Sequence, residues 1–268
     1  MPLRRPKKIS NSPGVYIFRK GTTPLYIGKA ANLRQRLGSY FAKAEGRTPK
    51  IERMLAEATR VETIETASEI EALIKEAELI KKCRPKYNLL MRDDKSYFYV
   101  GVTKEPYPRI FISHQPGRQR KAYSGKRIER DGRLSAKRYP LSARYIGPFT
   151  SGGTLRVTLK LLRRIFPYCT CMRPHTRPCL NAEIGRCAGY CCSPSQLFAG
   201  KKLGGQTIKR TRAQYRKGIQ NIVAVLSGER SRLVGRLKRE MREAVKRERY
   251  EEAARLRDAV FGLEDVFA

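Results

Sequence analysis

The chain opens with two different periodicities in quick succession. Residues 13 to 18 (PGVYIF) alternate in the manner of a half-buried strand, and Leu25 to Gly28 repeat the pattern after the turn-forming KGTTP. From residue 31 to 43 the period lengthens, with Leu33, Leu37 and Phe41 on one helical face. A second helix fits 49 to 59, and VETIET (61 to 66) alternates again. Ser68 and Glu71 make an S-x-x-E capping box. It opens a helix through about Lys82, which Arg84-Pro85 ends. Together these elements predict a compact α+β unit of about ninety residues, a mixed or antiparallel sheet with flanking helices.

Beyond it, YNLLMRDDKSYFYVGV and RIFISH read as strands. Gln115 to Lys137 is basic, carries Gly and Ser and shows no period, so it reads as a loop. A helix is predicted from about Thr154, a cysteine-rich block from 169 to 192, and a linker from 199 to 213. In the C-terminal part, 214–268, Leu233, Leu237, Met241 and Ala244 recur at helical spacing, and YEEAARLRDAVFGLEDVF repeats the period after Arg249. Two such runs with a short break predict an antiparallel helix hairpin at about 232–267. The domains expected are therefore 1–92, 93–198, the linker, and 214–268.

Charge narrows the partners. Lys and Arg number 58 against 24 Asp and Glu, a net charge of +34. A polyanion is the expected partner. The basic residues are spread along the chain rather than gathered on one amphipathic helix, which favours nucleic acid over a membrane surface. A structural protein of ribosomal type would share this charge, so charge alone does not imply catalysis. No run of about 18 apolar residues exists, so no membrane span is expected. The basic N-terminus is followed by no apolar segment, so a cytoplasmic protein is expected. Six of seven cysteines fall between Cys169 and Cys192, with Cys83 apart. In a reducing compartment that clustering points to a metal site.

The candidate chemistry lies in the first ninety residues. In the helix from Ser68, Glu76 is three residues after Leu73 and four before Ile80, inside the apolar side. Such a carboxylate is either a solvated boundary residue or is held there by a partner. Tyr16 and Tyr26 fit either ordinary strand aromatics or a site. Arg36 and Tyr40 share a helix face at i, i+4. Taken together, these are parts that cut a phosphodiester. One carboxylate with waters holds a hard divalent cation, Mg or Mn. Arginine neutralises charge on the phosphate, and a tyrosine relays or accepts the water's proton.

G-V-Y at 14 to 16, Y-I-G-K at 26 to 29, Arg36, Tyr40, E-A-L-I-K-E at 71 to 76 and P-K-Y-N at 85 to 88 resemble the GIY-YIG nuclease domain, in the form found in the excision-repair subunit UvrC. RDDKSY at 92 to 97, YIGPFTSG at 145 to 152, the cysteine block and the last helix pair continue the resemblance over most of the chain. It implies that Glu76 is the metal-binding carboxylate, that Tyr16 and Tyr26 are the motif tyrosines, and that Arg36 is the catalytic arginine. Lys29, Tyr40 and Asn88 match further active-site positions.

Cys171, Cys179, Cys187 and Cys191 have the spacing C-x7-C-x7-C-x3-C, unlike the CxxC pairs of a zinc ribbon. On the residues alone, an iron–sulfur cluster, zinc (with His175 able to replace a thiolate) and reduced structural cysteines all fit. The resemblance implies a 4Fe-4S cluster. Cys169 stands where the family usually has an arginine. The final helices resemble the UVR hairpin, which implies docking on UvrB through Met241, Tyr250, Ala253, Ala254, Leu256, Arg257 and Asp258; a plain capping hairpin is the alternative. UvrC proteins continue into an RNase H-like nuclease and a helix-hairpin-helix module, and this sequence stops at Ala268. The function implied is a metal-dependent nick on the 3′ side of a lesion in a UvrB–DNA complex, on damaged double-stranded DNA. The alternatives are a non-catalytic adaptor for DNA and UvrB, and a free-standing GIY-YIG nuclease.

Overall fold

The structure, a computed structural model, describes residues 8–42, 48–90, 97–114, 121–128, 134–140, 142–171, 179–187 and 212–267, with Leu3, Pro6 and Gly189. The chain divides into two units. One runs to Phe98 and includes Gly147–Thr158 and the residues from Val260; the other comprises Tyr99–Ile146 and Leu159–Ala259.

The first unit is built on the antiparallel sheet β2-β1-β3, from β1 (Gly14–Lys20), β2 (Thr23–Ala30) and β3 (Arg60–Glu65). The hairpin is tighter than KGTTP suggested. Gly21, at φ 57°, and Thr22 make the turn, and Thr23 and Pro24 already belong to β2. Pro24 has no N–H to donate, and the register shifts beside it, between Phe18 and Arg19.

Helix α1 (Leu33–Phe41) starts where the Asn32 side chain accepts the Gln35 N–H at 2.9 Å. Its buried residues are Leu33, Leu37 and Tyr40, so Tyr40, rather than Phe41, closes the inner face. With α2 (Pro49–Glu57) it covers the sheet face carrying Tyr16, Phe18 and Tyr26. The opposite face, Val15, Ile17 and Ile27, packs with Ala72 and Ile80 of α3 (Glu69–Cys83). Period-2 alternation thus sends β1's tyrosine and its valine to different layers.

The α3 cap forms as its sequence predicts. Ser68 Oγ accepts the Glu71 N–H at 3.3 Å, while Glu71 accepts the Ala67 N–H at 2.9 Å. Arg84 ends the helix in the left-handed region at φ 45°. YNLL is not a strand: Lys86–Leu90 form α4, and the short apolar run matched either period.

The sheet β5-β4-β8 is made of β4 (Phe98–Thr103), β5 (Ile110–Ser113) and β8 (Ala143–Phe149). The segment read as a loop contains a two-stranded ladder, β6 (Lys121–Ile128) with β7 (Leu134–Pro140). Its many charges hid the alternation on which a strand assignment rests. Helix α5 (Gly152–Ile165) begins two residues earlier than expected, and α6 (Leu180–Glu183) is a single turn. The C-terminal helices are α7 (Arg212–Leu226), α8 (Arg230–Lys246) and α9 (Tyr250–Phe267). Most of the expected linker lies outside the described residues. Among the described residues, no helix is long and apolar enough to cross a membrane.

Candidate active site

Three of the residues singled out above form one hydrogen-bonded group on the α1 side of the sheet. Tyr16 Oη and Tyr40 Oη are 3.0 Å apart, and Arg36 Nε donates to Tyr16 Oη at 3.2 Å. The Arg36 guanidinium lies 5.3 Å from the centroid of the Tyr40 ring. Tyr16 and Tyr40 are buried, whereas Arg36 is exposed at the helix surface. Tyr26 stands beside them, its ring 6.1 Å from Tyr16's. Burial pushes the phenols of both Tyr16 and Tyr26 well above their ordinary value, so both are neutral at physiological pH.

The two glycines of the motifs have steric reasons. Tyr16 and Gly28 are register partners, and a Cβ on Gly28 would stand 2.5 Å from the Tyr16 Cζ and Oη. A Cβ on Gly14 would meet the Ile64 carbonyl oxygen at 2.4 Å. Each glycine permits an approach no other residue allows.

Glu76 comes from the other layer. It is 2% exposed, yet its carboxylate reaches the outer edge of β2, where Oε1 accepts the Lys29 N–H at 2.9 Å. Oε2 accepts the Thr150 hydroxyl at 2.5 Å. The solvated-boundary alternative for Glu76 is thereby excluded. Asn88 occupies the same edge one step along: its amide accepts the Ile27 N–H and donates to the Ile27 carbonyl, both at 2.8 Å. Asn88 therefore acts as an extra rung that fixes β2 between Tyr26 and Gly28. Lys29 Nζ pairs with Glu69, not Glu76, and donates to Thr154 Oγ1 at 3.3 Å. Lys29 holds the Glu69 carboxyl below its usual range, with Thr154 assisting.

Tyr26 links the two halves. After burial, the influences raising its phenol are Tyr40 and then Glu76, while Arg36 pulls it down. Glu76 offers carboxylate oxygen and Thr150 a hydroxyl oxygen beside it, ligand types that suit a hard divalent cation rather than a thiophilic one.

In the cysteine block, Cys169 and Cys187 are buried with Ala182, and Cys171 and Cys179 pack against them. The Cys171 and Cys179 sulfurs are 3.8 Å apart. Cys191, Cys192 and His175 lie outside the described residues. Among the described residues, no group of three or more His, Cys, Asp or Glu stands together closely enough to hold a metal ion. The block is clamped by side chains the sequence did not single out. Arg109, paired with Glu105, donates to the Cys171 carbonyl at 3.0 Å. Arg163 donates to the Tyr168 and Arg186 carbonyls at 3.0 Å. Tyr215 accepts the Cys169 N–H at 3.1 Å.

Three family models match in order: a UvrC-like GIY-YIG domain at residues 12–89, the UvrC/Cho excinuclease middle domain at 97–197, and the UvrB/UvrC motif at 231–265. The UvrABC system protein C of Moorella thermoacetica is 38% identical over 265 residues, which is 97% of this chain and 37% of that protein. That of Carboxydothermus hydrogenoformans is 37% identical over 268 residues, 98% of this chain and 38% of that protein. The chain belongs to the UvrC family. It spans a little over a third of the length of these curated relatives. The GIY-YIG endonuclease domain of Thermotoga maritima UvrC, a crystal structure with magnesium, is 50% identical where aligned, covering 30% of this chain and 86% of that one at a TM-score of 0.28.

Within the segment matching the UvrB/UvrC motif, the predicted docking residues separate by face. Tyr250, Arg257 and Asp258 are exposed, Met241, Ala254 and Leu256 are half-buried, and Ala253 is buried. Arg257 and Asp258 pair with each other at 2.9 Å. Phe261, not singled out by the sequence, is 61% exposed, as Tyr250 is at 65%. Eleven residues apart, the two aromatics lie on one stripe of α9, with Ala254, Arg257 and Asp258 between them.

Proposed function

We propose that this UvrC-family chain is a metal-dependent DNA endonuclease of nucleotide-excision repair, nicking the damaged strand on the 3′ side of a lesion within a UvrB–DNA complex. The observation that supports it best is Glu76, a buried carboxylate carried to the edge of β2, the strand whose Tyr26 ring lies 6.1 Å from that of Tyr16 in the Arg36–Tyr16–Tyr40 group.

Glu76 would hold a divalent cation, Mg or Mn, which when bound polarises the phosphate and makes a bound water more acidic. Arg36 spends Nε on Tyr16 and would offer its remaining guanidinium N–H groups to the scissile phosphate, where negative charge grows in the transition state. The Tyr16 and Tyr40 hydroxyls are in hydrogen-bond contact, and the Tyr26 ring stands beside that of Tyr16. Because burial disfavours a tyrosinate, we assign Tyr16 or Tyr26 the relay of the water's proton rather than its storage. Lys29 and Asn88 hold the edge of β2, Lys29 through its backbone and its pair with Glu69, Asn88 through both ends of its amide. The net charge of +34 suits the DNA backbone.

The test is an incision assay on a lesion-containing duplex labelled at its 3′ or 5′ end, with UvrA, UvrB, ATP and Mg²⁺. A single nick 3′ of the lesion, lost on Glu76→Ala, is expected. Absence of any nick with UvrB binding intact would establish the adaptor role instead. A nick independent of UvrB would indicate a free-standing nuclease.

For the cysteine block we propose a four-thiolate site of Cys171, Cys179, Cys187 and Cys191. A 4Fe-4S cluster is what the family resemblance implies. The Cys171–Cys179 separation of 3.8 Å suits two thiolates on one tetrahedral zinc ion with bonds of ~2.3 Å and equally a contact of two reduced thiols. Among the described residues, Cys187 does not join them in a metal-holding group. Iron, sulfide and zinc content of anaerobically purified protein, with its visible absorption, decides between them.

UvrB is the proposed partner of the Tyr250–Phe261 stripe. Two exposed aromatics beside an ion pair on one helix face suit a helical partner.

A further inference from the structure

The segment Thr150–Thr154 lies more than sixty residues beyond α3 in sequence, yet it belongs to the same unit as the nuclease site and touches it twice. Thr150 donates its hydroxyl to Glu76 Oε2 at 2.5 Å. Thr154 donates to Glu69 Oε1 at 2.9 Å and accepts from Lys29 Nζ at 3.3 Å. Ser151 Oγ ties the segment to itself, 3.0 Å from Thr154 Oγ1. The two contacts bracket Lys29, whose backbone N–H binds Glu76 and whose ammonium binds Glu69. The local sequence TSGGT permits this close approach. A Cβ on Gly152 would meet the Phe98 ring at 2.3 Å, so only glycine lets the segment pack there.

We propose that Thr150 is a positioning residue of the nuclease site, fixing the Glu76 carboxylate for its cation, and that residues 150–154 complete a site whose other members lie between Tyr16 and Asn88. The inference rests on the reading of Glu76 as the cation-binding carboxylate. A carboxylate almost wholly removed from water must have its oxygens oriented by donors. Among the donors that orient Glu76 are the Lys29 amide on Oε1, which the sheet edge fixes, and the Thr150 hydroxyl on Oε2. Hydrogen-bond partners of metal-ligating carboxylates typically contribute about 10- to 100-fold to metal affinity.

The test uses the full chain and two readouts. Tb³⁺ replaces Mg²⁺ and is followed by luminescence sensitised by the nearby tyrosines, the protein having no tryptophan. Nicking is then measured against Mg²⁺ concentration. Thr150→Val keeps the shape and removes the hydroxyl. It should weaken Tb³⁺ binding about tenfold or more, raise the Mg²⁺ concentration for half-maximal nicking in proportion, and leave the rate at saturating Mg²⁺ within a few-fold. Thr150→Ser should restore wild-type binding, which a merely structural role of the side chain's bulk would not predict. Wild-type or tighter Tb³⁺ affinity in Thr150→Val, with Glu76→Gln abolishing the signal, would overturn the role of Thr150 alone. An unchanged signal in Glu76→Gln would overturn the cation reading beneath it.

Discussion

The Tyr16 ring lies across Gly28, its register partner on the neighbouring strand. That contact carries the phenol of β1 over the backbone of β2, towards the edge where Glu76 arrives from the opposite layer. The tyrosines face α1 and the carboxylate comes from α3, so β2 carries contacts from both layers. Glycine at 28 is the condition for the Tyr16 ring to lie there.

Gly28→Ala should therefore harm both fold and site. The added methyl would sit 2.5 Å from the Tyr16 ring end, and the ring is fully buried. A loss of roughly 1–3 kcal/mol is expected for such overpacking, read as a lowered urea midpoint with unchanged slope. Nicking should fall further than stability explains, because Tyr16 must swing away from Arg36.

Tyr16→Phe separates chemistry from packing. The phenyl ring still fills the space over Gly28, so stability should change by only about 1 kcal/mol. The Arg36 Nε and Tyr40 Oη contacts are lost. Nicking should drop by about 10²-fold or more, with affinity for DNA unchanged in a gel-shift titration.

Alkaline pH should unfold the first unit in a predictable window. Burial raises the Tyr16 and Tyr26 phenols above their unfolded value of about 10. From that value upward the unfolded chain loses protons that the native chain keeps, so stability falls as pH rises and is fully present below it. Urea midpoints from pH 8 to 11, followed alongside tyrosinate absorbance, should show these two phenols ionising only with unfolding. At the acid end the sign reverses. The Glu69 carboxyl, lowered by Lys29, stabilises the fold above its unfolded value and loses that contribution as pH falls, by a small amount because the pair is partly exposed to solvent.

Tyr250→Ala and Phe261→Ala should each weaken binding to UvrB by about 2 kcal/mol, the loss expected of an interface anchor. Both side chains are exposed, so the melting temperature of the free chain should barely move. Ala253 is buried in the free chain, and its enlargement should lower stability before it affects UvrB. Calorimetric titration with UvrB alongside thermal melts tests both statements.

Local order was legible in the sequence because its causes are local. Ser68 caps α3 through a hydroxyl three residues from the amide it serves, and Arg84-Pro85 stops the same helix by backbone sterics alone. Of the candidate set, Glu76 stood out against the apolar side of its helix, whereas Tyr16, Tyr26 and Arg36 fitted ordinary strand and helix patterns and were singled out by their combination and the family resemblance. YNLL and the charged ladder at 121–140 were misread because a short run, or one crowded with charge, fits more than one period. Tertiary structure alone decided how the site is held. Asn88 clamps the Ile27 backbone, Lys29 chooses Glu69 over Glu76, and Thr150 reaches Glu76 from a distant segment. A side-chain hydrogen bond between segments depends on which strand edge is left open and what packs beside it. That is a property of the assembled layers, and no spacing along the chain encodes it.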